Sequence, residues 1–178
     1  MALNRKRKTK HLKVSESNKL KAVDIELAVS EYLNPRTNLI VPNVHWGLDI
    51  HECDLLVITK AGYGWEVEIK VSKADLMKDD AKRHDHKDRR IKDLWFAIPK
   101  HLEPFIEHVP ERAGIILVDG KSRCIKLRDP KSKKRPYKFS DEEKYKVARL
   151  GSLRIWGLKQ KIRDMEIKAQ EQKQSGEG

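Results

Sequence analysis

The sequence predicts an α/β fold in which helices cover a mixed central sheet and a further helix lies at the C-terminal end. Two observations indicate this class. Residues 53–59 and 65–71 are rich in apolar and β-branched residues and are joined by 60–64, which holds two glycines, so we expect an antiparallel hairpin. Further on, the apolar segments 94–98 and 113–118 are separated by enough chain for a short helix, and this spacing suits a parallel crossover.

Length and charge narrow the range of possible functions. The chain has 178 residues, with 39 Lys and Arg against 27 Asp and Glu, and a net charge of +12 at pH 7. This length suffices for one domain with a modest core. The basic excess favours nucleic acid as the partner, although ribosome binding and phosphate-ligand binding remain open. The apolar runs are shorter than the roughly 18 residues of a membrane span, so we expect a cytoplasmic protein with no membrane partner.

The domain organisation follows from shifts in composition along the chain. Residues 1–14 are rich in Lys and Arg and poor in apolar side chains, which predicts a disordered basic arm, or alternatively a solubilising tail. The α/β domain is expected over 15–130, followed by a basic linker at 131–139. A C-terminal helical segment over 140–169 and a disordered tail over 170–178 complete the chain.

The first helix carries the first indication of a site. It begins at Ser15 or Ser17, either of which can cap it, and ends at the Asn-Pro pair 34–35. When its residues are placed at 100° intervals, Glu26 falls within the apolar arc and should point toward the interior. A carboxylate there needs a partner, because an unpaired buried charge costs several kcal/mol. A short extended segment, 39–44, follows this helix.

Two later helices show recognisable signals. Ser72, followed three residues later by Asp75, resembles a capping box that opens a helix before the basic stretch 82–92. The C-terminal helix is expected to break near Gly151 and to pack Trp156 into the core.

The hairpin carries the candidate metal-binding and catalytic residues. Antiparallel pairing across a short turn brings Asp54 beside Glu68, and the two-residue period of a strand puts Lys70 on the same side as Glu68. Two carboxylates supply the hard oxygen ligands of Mg²⁺, which keeps several waters and completes its shell with substrate phosphate. The tripeptide acid-x-Lys occurs eight times in this chain, so the pattern alone is weak evidence. The informative feature is that the copy at Glu68 lies within a predicted strand. A structural cluster of salt bridges is the alternative interpretation.

In these features the chain resembles the PD-(D/E)XK nuclease superfamily, which has a restriction-endonuclease-like αβββαβ core. The similarity spans about residues 24–118 and is closest to a small bacterial and phage group of repair-type nucleases. It is carried by Asp24-Ile-Glu26, Glu52-Cys-Asp54-Leu-Leu and Glu66-Val-Glu-Ile-Lys-Val-Ser-Lys-Ala-Asp75, and further by Lys82-Arg-His84, Trp95-Phe-Ala-Ile-Pro99 and Arg149-Leu-Gly-Ser-Leu-Arg-Ile-Trp156. Cys53 departs from the pattern, since the superfamily's name implies proline there.

The resemblance implies a Mg²⁺-dependent endonuclease that hydrolyses DNA phosphodiester bonds in repair, recombination or phage DNA processing, with Mn²⁺ as a substitute cation. It implies that Asp54, Glu68 and the backbone carbonyl of Ile69 ligate the metal. Glu26 would lie near the metal, bound directly or through a water, and Lys70 would be the catalytic lysine. A catalytically inactive nucleic-acid-binding protein on the same fold is the main alternative, and an assembly protein for a protein or ribosomal RNA partner is another.

The basic segments are the expected DNA contacts. They would bind backbone phosphates without reading sequence, although a plain solvated run of charges is an equal alternative for the second segment. The expected contact residues are Arg5, Lys6, Arg7, Lys8, Ser72, Lys73, Lys82, Arg83, His84 and Lys87. The sequence leaves open whether His84 has any role with His86, and whether the chain forms a homodimer.

Overall fold

The computed structural model describes residues 20–44, 50, 52–81 and 88–175, and confirms the α/β class with a mixed sheet and a C-terminal helix. Within these residues, six strands form one sheet in chain order. The strands are β1 (Leu39–Val44), β2 (Cys53–Ile58), β3 (Gly64–Ile69), β4 (Ile91–Pro99), β5 (Gly114–Val118) and β6 (Cys124–Arg128). The helices are α1 (Ala22–Tyr32), α2 (Lys73–Ala81) and α3 (Asp141–Ser175), with a 3₁₀ helix at Lys100–His108.

The sheet is mixed. β1 pairs antiparallel with β2, and β2 pairs antiparallel with β3. β4 is parallel to both β3 and β5, and β6 is antiparallel to β5. The hairpin between β2 and β3 and the parallel crossover between β4 and β5 are therefore as predicted. The connections follow from this topology, because parallel neighbours need a crossover whereas antiparallel neighbours need only a turn.

Helices cover both faces of the sheet, which explains why its central strands are apolar on both sides. On one face, Ile25 and Val29 of α1 pack against a cluster that includes Leu55 and Val67. On the other face, the start of α3 packs Val147 onto a second cluster, while α2 and the 3₁₀ helix cover a third. Residues 68–70 lie at the C-terminal end of β3, which ends at Ile69.

The basic linker expected over 131–139 is docked onto the domain. The Phe139 side chain is buried, and its main-chain N–H donates to the carbonyl of Gly62 over 2.9 Å. Ser132 donates a hydrogen bond to the carboxylate of Asp93, and Tyr63 forms a β-bridge with Lys138. The segment therefore belongs to the core structure, because an aromatic side chain that covers apolar surface holds it in place.

The C-terminal helix differs from expectation in three respects. It passes through Gly151 without a break, since the glycine lets it approach β1 closely: a Cβ there would lie 3.3 Å from Cγ2 of Val41. It also continues beyond the expected end of the segment 140–169 and into the expected tail, as far as Ser175. Finally, Trp156 is 64% exposed, because every described side chain from 155 to 172 is exposed once the helix has left the sheet.

The first helix begins later than expected. Leu20 and Lys21 are described and are not helical, and Lys21 is the N-cap, whose main-chain N–H donates to Oδ2 of Asp24 over 2.7 Å. The helix therefore begins at Ala22 and not at Ser15 or Ser17, which, like the basic arm 1–14, lie outside the described residues. Within the described ranges, none of the helices combines the length and the apolar composition that crossing a membrane requires.

Candidate active site

The register of the hairpin places the two predicted carboxylates opposite each other. Leu55 of β2 pairs with Val67 of β3 in the antiparallel ladder. Because each step along one strand moves one step back along the other, Asp54 lies across from Glu68. The two carboxylates interact electrostatically, since the charge of Asp54 contributes to the raised pKa of Glu68.

Asp54 is fixed by a hydrogen bond across the same pair of strands. The main-chain N–H of Ile69 donates to Oδ2 of Asp54 over 2.7 Å. This bond holds the carboxylate at the open end of the hairpin, away from the turn. It brings the carboxylate to the main chain of Ile69, whose carbonyl is the third predicted ligand. A hydrogen bond to a charged acceptor is stronger than one between neutral groups, so the orientation of Asp54 is well determined.

Glu68 is buried and paired with the predicted lysine. Nζ of Lys70 lies 2.8 Å from Oε2 of Glu68, and both side chains are nearly buried. Burial raises the pKa of Glu68 to about 7. The ammonium of Lys70 acts in the opposite direction, while the carboxylates of Asp54 and Glu66 add to the increase. Burial and the two neighbouring carboxylates thus outweigh the lysine, and Glu68 ionises less readily than an exposed carboxyl group.

Glu26 reaches the same region from α1. The side chain is half-buried, and burial raises its pKa, with a further increase from the carboxylate of Asp54. The helix therefore brings a third acidic side chain within electrostatic range of the hairpin. The helical period predicted that this residue faces inward. In the structure Glu26 is half-buried, and it lies between Ile25, which is fully buried, and Leu27, which is exposed.

The donor set fits Mg²⁺ better than a softer metal. Among the described residues, no three or more His, Cys, Asp or Glu side chains are arranged as a metal-binding group. Mg²⁺ does not need such a group, because it usually binds through one or two carboxylates and keeps its waters. Asp54 and Glu68 supply two carboxylates. Burial raises the pKa of Glu68, the carboxylates of Asp54 and Glu66 add to the increase, and a bound cation would favour the ionised form.

The predicted DNA contacts are only partly described. Ser72 and Lys73 follow the site at the start of α2, where Ser72 accepts a hydrogen bond from the main-chain N–H of Asp75 over 3.2 Å and so caps the helix. Nζ of Lys73 lies 4.3 Å from the ring centroid of Phe105. The remaining predicted contacts lie outside the described residues: Arg5, Lys6, Arg7, Lys8, Lys82, Arg83, His84 and Lys87.

A cleft beside the site was not predicted from the sequence. It has a volume of about 600 Å³ and lies between α1, the end of β1 and α3. Glu26 lines it on the α1 side, and Arg154 and Lys161 line it on the α3 side. The signal in the sequence was the spacing of these two cations, since residues seven apart share a face of a helix. That spacing is uninformative until the opposite wall is known.

Comparison with known proteins bears on the fold alone. No protein-family model and no curated protein matches the chain. A similar solved structure is the SPO1766 protein of unknown function from Silicibacter pomeroyi, which is 18% identical with a TM-score of 0.59. The alignment covers 83% of this chain and 94% of that chain. At this level of identity, the likeness indicates a shared fold over most of both chains.

Proposed function

We propose that this protein is a Mg²⁺-dependent nuclease of the PD-(D/E)XK type that hydrolyses DNA phosphodiester bonds. The observation that carries the proposal is the meeting of Asp54, Glu68 and Lys70 at one end of the β2–β3 hairpin. The order of elements, which is one helix, three strands, a helix and a strand, supports a restriction-endonuclease-like core. The net charge of +12 supports DNA as the partner.

The carboxylates of Asp54 and Glu68 would hold the cation, with the carbonyl of Ile69 as a further oxygen ligand. A bound Mg²⁺ supplies positive charge that polarises the scissile phosphate and lowers the pKa of water. Mn²⁺ is the natural substitute, because carboxylate and carbonyl oxygens also suit that ion. Glu26 lies within electrostatic range of Asp54 and would take part directly or through a water.

Lys70 has a different task, because an ammonium cannot ligate a cation. Its nitrogen is held at the site by Glu68 and lies 5.9 Å from the ring centroid of Phe96, so the side chain is positioned rather than free to sample solvent. From there it orients the attacking water and offsets the negative charge that develops on the phosphoryl oxygens. The protein would work in the cytoplasm, in repair, recombination or phage DNA processing.

A cleavage assay tests the proposal. Supercoiled plasmid and labelled linear DNA are incubated with the wild-type protein in Mg²⁺, in Mn²⁺ and in EDTA. We expect cleavage with either cation and none in EDTA, and we expect Glu68→Ala to be inactive under all three conditions. DNA binding by the wild type without cleavage in either cation would contradict the nuclease proposal and favour a nucleic-acid-binding protein on this fold.

A further inference from the structure

We propose that the cleft between α1, β1 and α3 binds a single strand of DNA and leads it to the carboxylates of the site. This inference rests on the proposed function, and it concerns which form of DNA the protein accepts. Glu26 and Asn43 both line the cleft. Pro42 pairs with Leu55 and Val44 pairs with Cys53 in the β1–β2 ladder, so Asn43 lies across from Asp54 and the cleft borders the candidate active site.

The charges of the cleft suit a phosphate backbone. Arg154 and Lys161 are seven residues apart on α3, so they share one face of the helix about 10 Å apart along its axis. Nη2 of Arg154 donates to the carbonyl of Asn43 over 2.5 Å, which fixes the side chain at the end of β1. That bond uses one of the five guanidinium N–H donors of Arg154.

The rest of the lining suits bases. Apolar side chains complete the walls on both sides, contributed by Val23 of α1 and by Leu150, Leu153 and Leu158 of α3. Proteins that bind single strands combine a positively charged groove for the backbone with aromatic side chains on which the bases stack. This cleft has cations along one wall, and aliphatic side chains take the place of the aromatic ones as the apolar surface for the bases.

The size of the cleft favours one strand over a duplex. A volume of about 600 Å³ is that of a site for a small ligand, which spans about 300–1,000 Å³. A duplex is far larger, since its major groove alone is about 12 Å wide. The substrate class is therefore DNA with a single-stranded segment, such as a frayed end or a flap.

Gly157 allows the cleft to be blocked without disturbing the fold. It lines the cleft, and a Cβ built on it meets no atom within 4 Å. Glu is also a better helix former than Gly, so Gly157→Glu should fold. It adds a carboxylate to the cleft, whereas Ser152→Glu adds the same charge to an exposed position of α3 that does not line the cleft. Gly157→Ala adds a methyl group without charge.

The experiment measures binding to a labelled single-stranded oligonucleotide and to the matching blunt duplex by fluorescence anisotropy. EDTA is present throughout, so neither metal binding nor cleavage enters the result. We expect Gly157→Glu to weaken single-strand binding about tenfold or more, since a like charge then faces the phosphates. Ser152→Glu and Gly157→Ala should stay within about twofold of the wild type, because neither places a charge in the cleft.

A second pair of variants removes charge instead of adding it. Lys161→Ala should reduce the slope of log K against log[salt] by about 0.7 for the single strand. Lys159→Ala removes the same charge outside the cleft, where its Nζ lies 5.4 Å from the ring centroid of Trp156, and should leave the slope nearly unchanged.

Several results would overturn the inference. These are equal single-strand binding by Gly157→Glu and Ser152→Glu, an equal loss of duplex binding, or no binding of the single strand by the wild type. The expected pattern together with an absence of Mg²⁺-dependent cleavage would support the inference while contradicting the nuclease proposal. Cleavage by the wild type with no effect of Gly157→Glu on single-strand binding would support the nuclease proposal while contradicting the inference. The cleft would then bind another class of partner.

Discussion

Nζ of Lys70 lies 2.8 Å from Oε2 of Glu68, two residues earlier in the chain at the C-terminal end of β3. Even with this partner, burial and the neighbouring carboxylates hold the pKa of Glu68 at about 7. A buried carboxyl group that ionises only near neutral pH marks a place where the fold tolerates electrostatic cost. Such places concentrate at functional sites, where a ligand or a cation supplies the missing compensation.

The first prediction concerns pH. Because the pKa of Glu68 is about 7 when folded and near 4.5 when unfolded, the folded state binds the proton more tightly between these values. The free energy of unfolding should therefore fall as pH rises from 4.5 to 7, by up to about 3 kcal/mol from this group, and then level off. Glu68→Gln should lose this component of the slope. Urea unfolding of both proteins across pH 4.5–8 measures the difference, and equal slopes would contradict the prediction.

The second prediction separates the roles of Glu68 and Lys70. Glu68→Ala removes an oxygen ligand and should lose both Mn²⁺ affinity and DNA cleavage. Lys70→Ala removes a positive charge, so at pH 8.5 it should retain or slightly strengthen Mn²⁺ binding while cleavage collapses. Calorimetric Mn²⁺ titrations beside a plasmid-cleavage time course make the measurement. Lys60→Ala, at the turn end of the hairpin, is the charge-matched control, and cleavage by Lys70→Ala at the wild-type rate would refute the assigned role.

The third prediction concerns the basic arm. Residues 5–13 contain six Lys and Arg, and each phosphate that they neutralise contributes about −0.9 to the slope of log K against log[salt] for duplex DNA. Deleting residues 1–13 should flatten this slope, whereas deleting 170–178 should not. Binding titrations from low to moderate salt measure the slopes, and an unchanged slope for the first deletion would show the arm to be a solubilising tail.

The fourth prediction tests the packing of the parallel strands. A Cβ on Gly114 would overlap the ring of Trp95, with Cζ3 only 2.6 Å away, whereas a Cβ on Gly120 meets no atom within 4 Å. Gly114→Ala should lower the free energy of unfolding by about 1–3 kcal/mol, the usual cost of overpacking, while Gly120→Ala should be nearly neutral. Chemical denaturation gives both values. Equal stability of the two variants would mean that Trp95 does not pack over Gly114.

Local patterns predicted the parts of the fold that depend on local interactions. The hairpin register follows from strand alternation and a short turn, and the capping of α2 by Ser72 follows from a spacing of three residues. The candidate site was accessible for the same reason, because Asp54, Glu68 and Lys70 all lie on one hairpin. Glu26 could be added because the period of a helix indicates which residues face inward.

The errors arose where distant packing decides the outcome. Gly151 reads as a helix breaker, but the sheet uses its missing side chain for close approach. Trp156 reads as a core residue, although the sheet has ended before that turn of the helix. The cleft was missed for a related reason, since Arg154 and Lys161 acquire meaning only when α1 stands opposite them.

The location of a divalent cation tests the central claim most directly. Crystals of the wild-type protein grown with Mn²⁺ would be measured at a wavelength where manganese scatters anomalously. We predict a peak in the anomalous density between the carboxylates of Asp54 and Glu68, and no such peak in crystals of Asp54→Asn. A fully occupied manganese site elsewhere with none between these two carboxylates, or carboxylates that lie on opposite faces of the sheet, would contradict the claim.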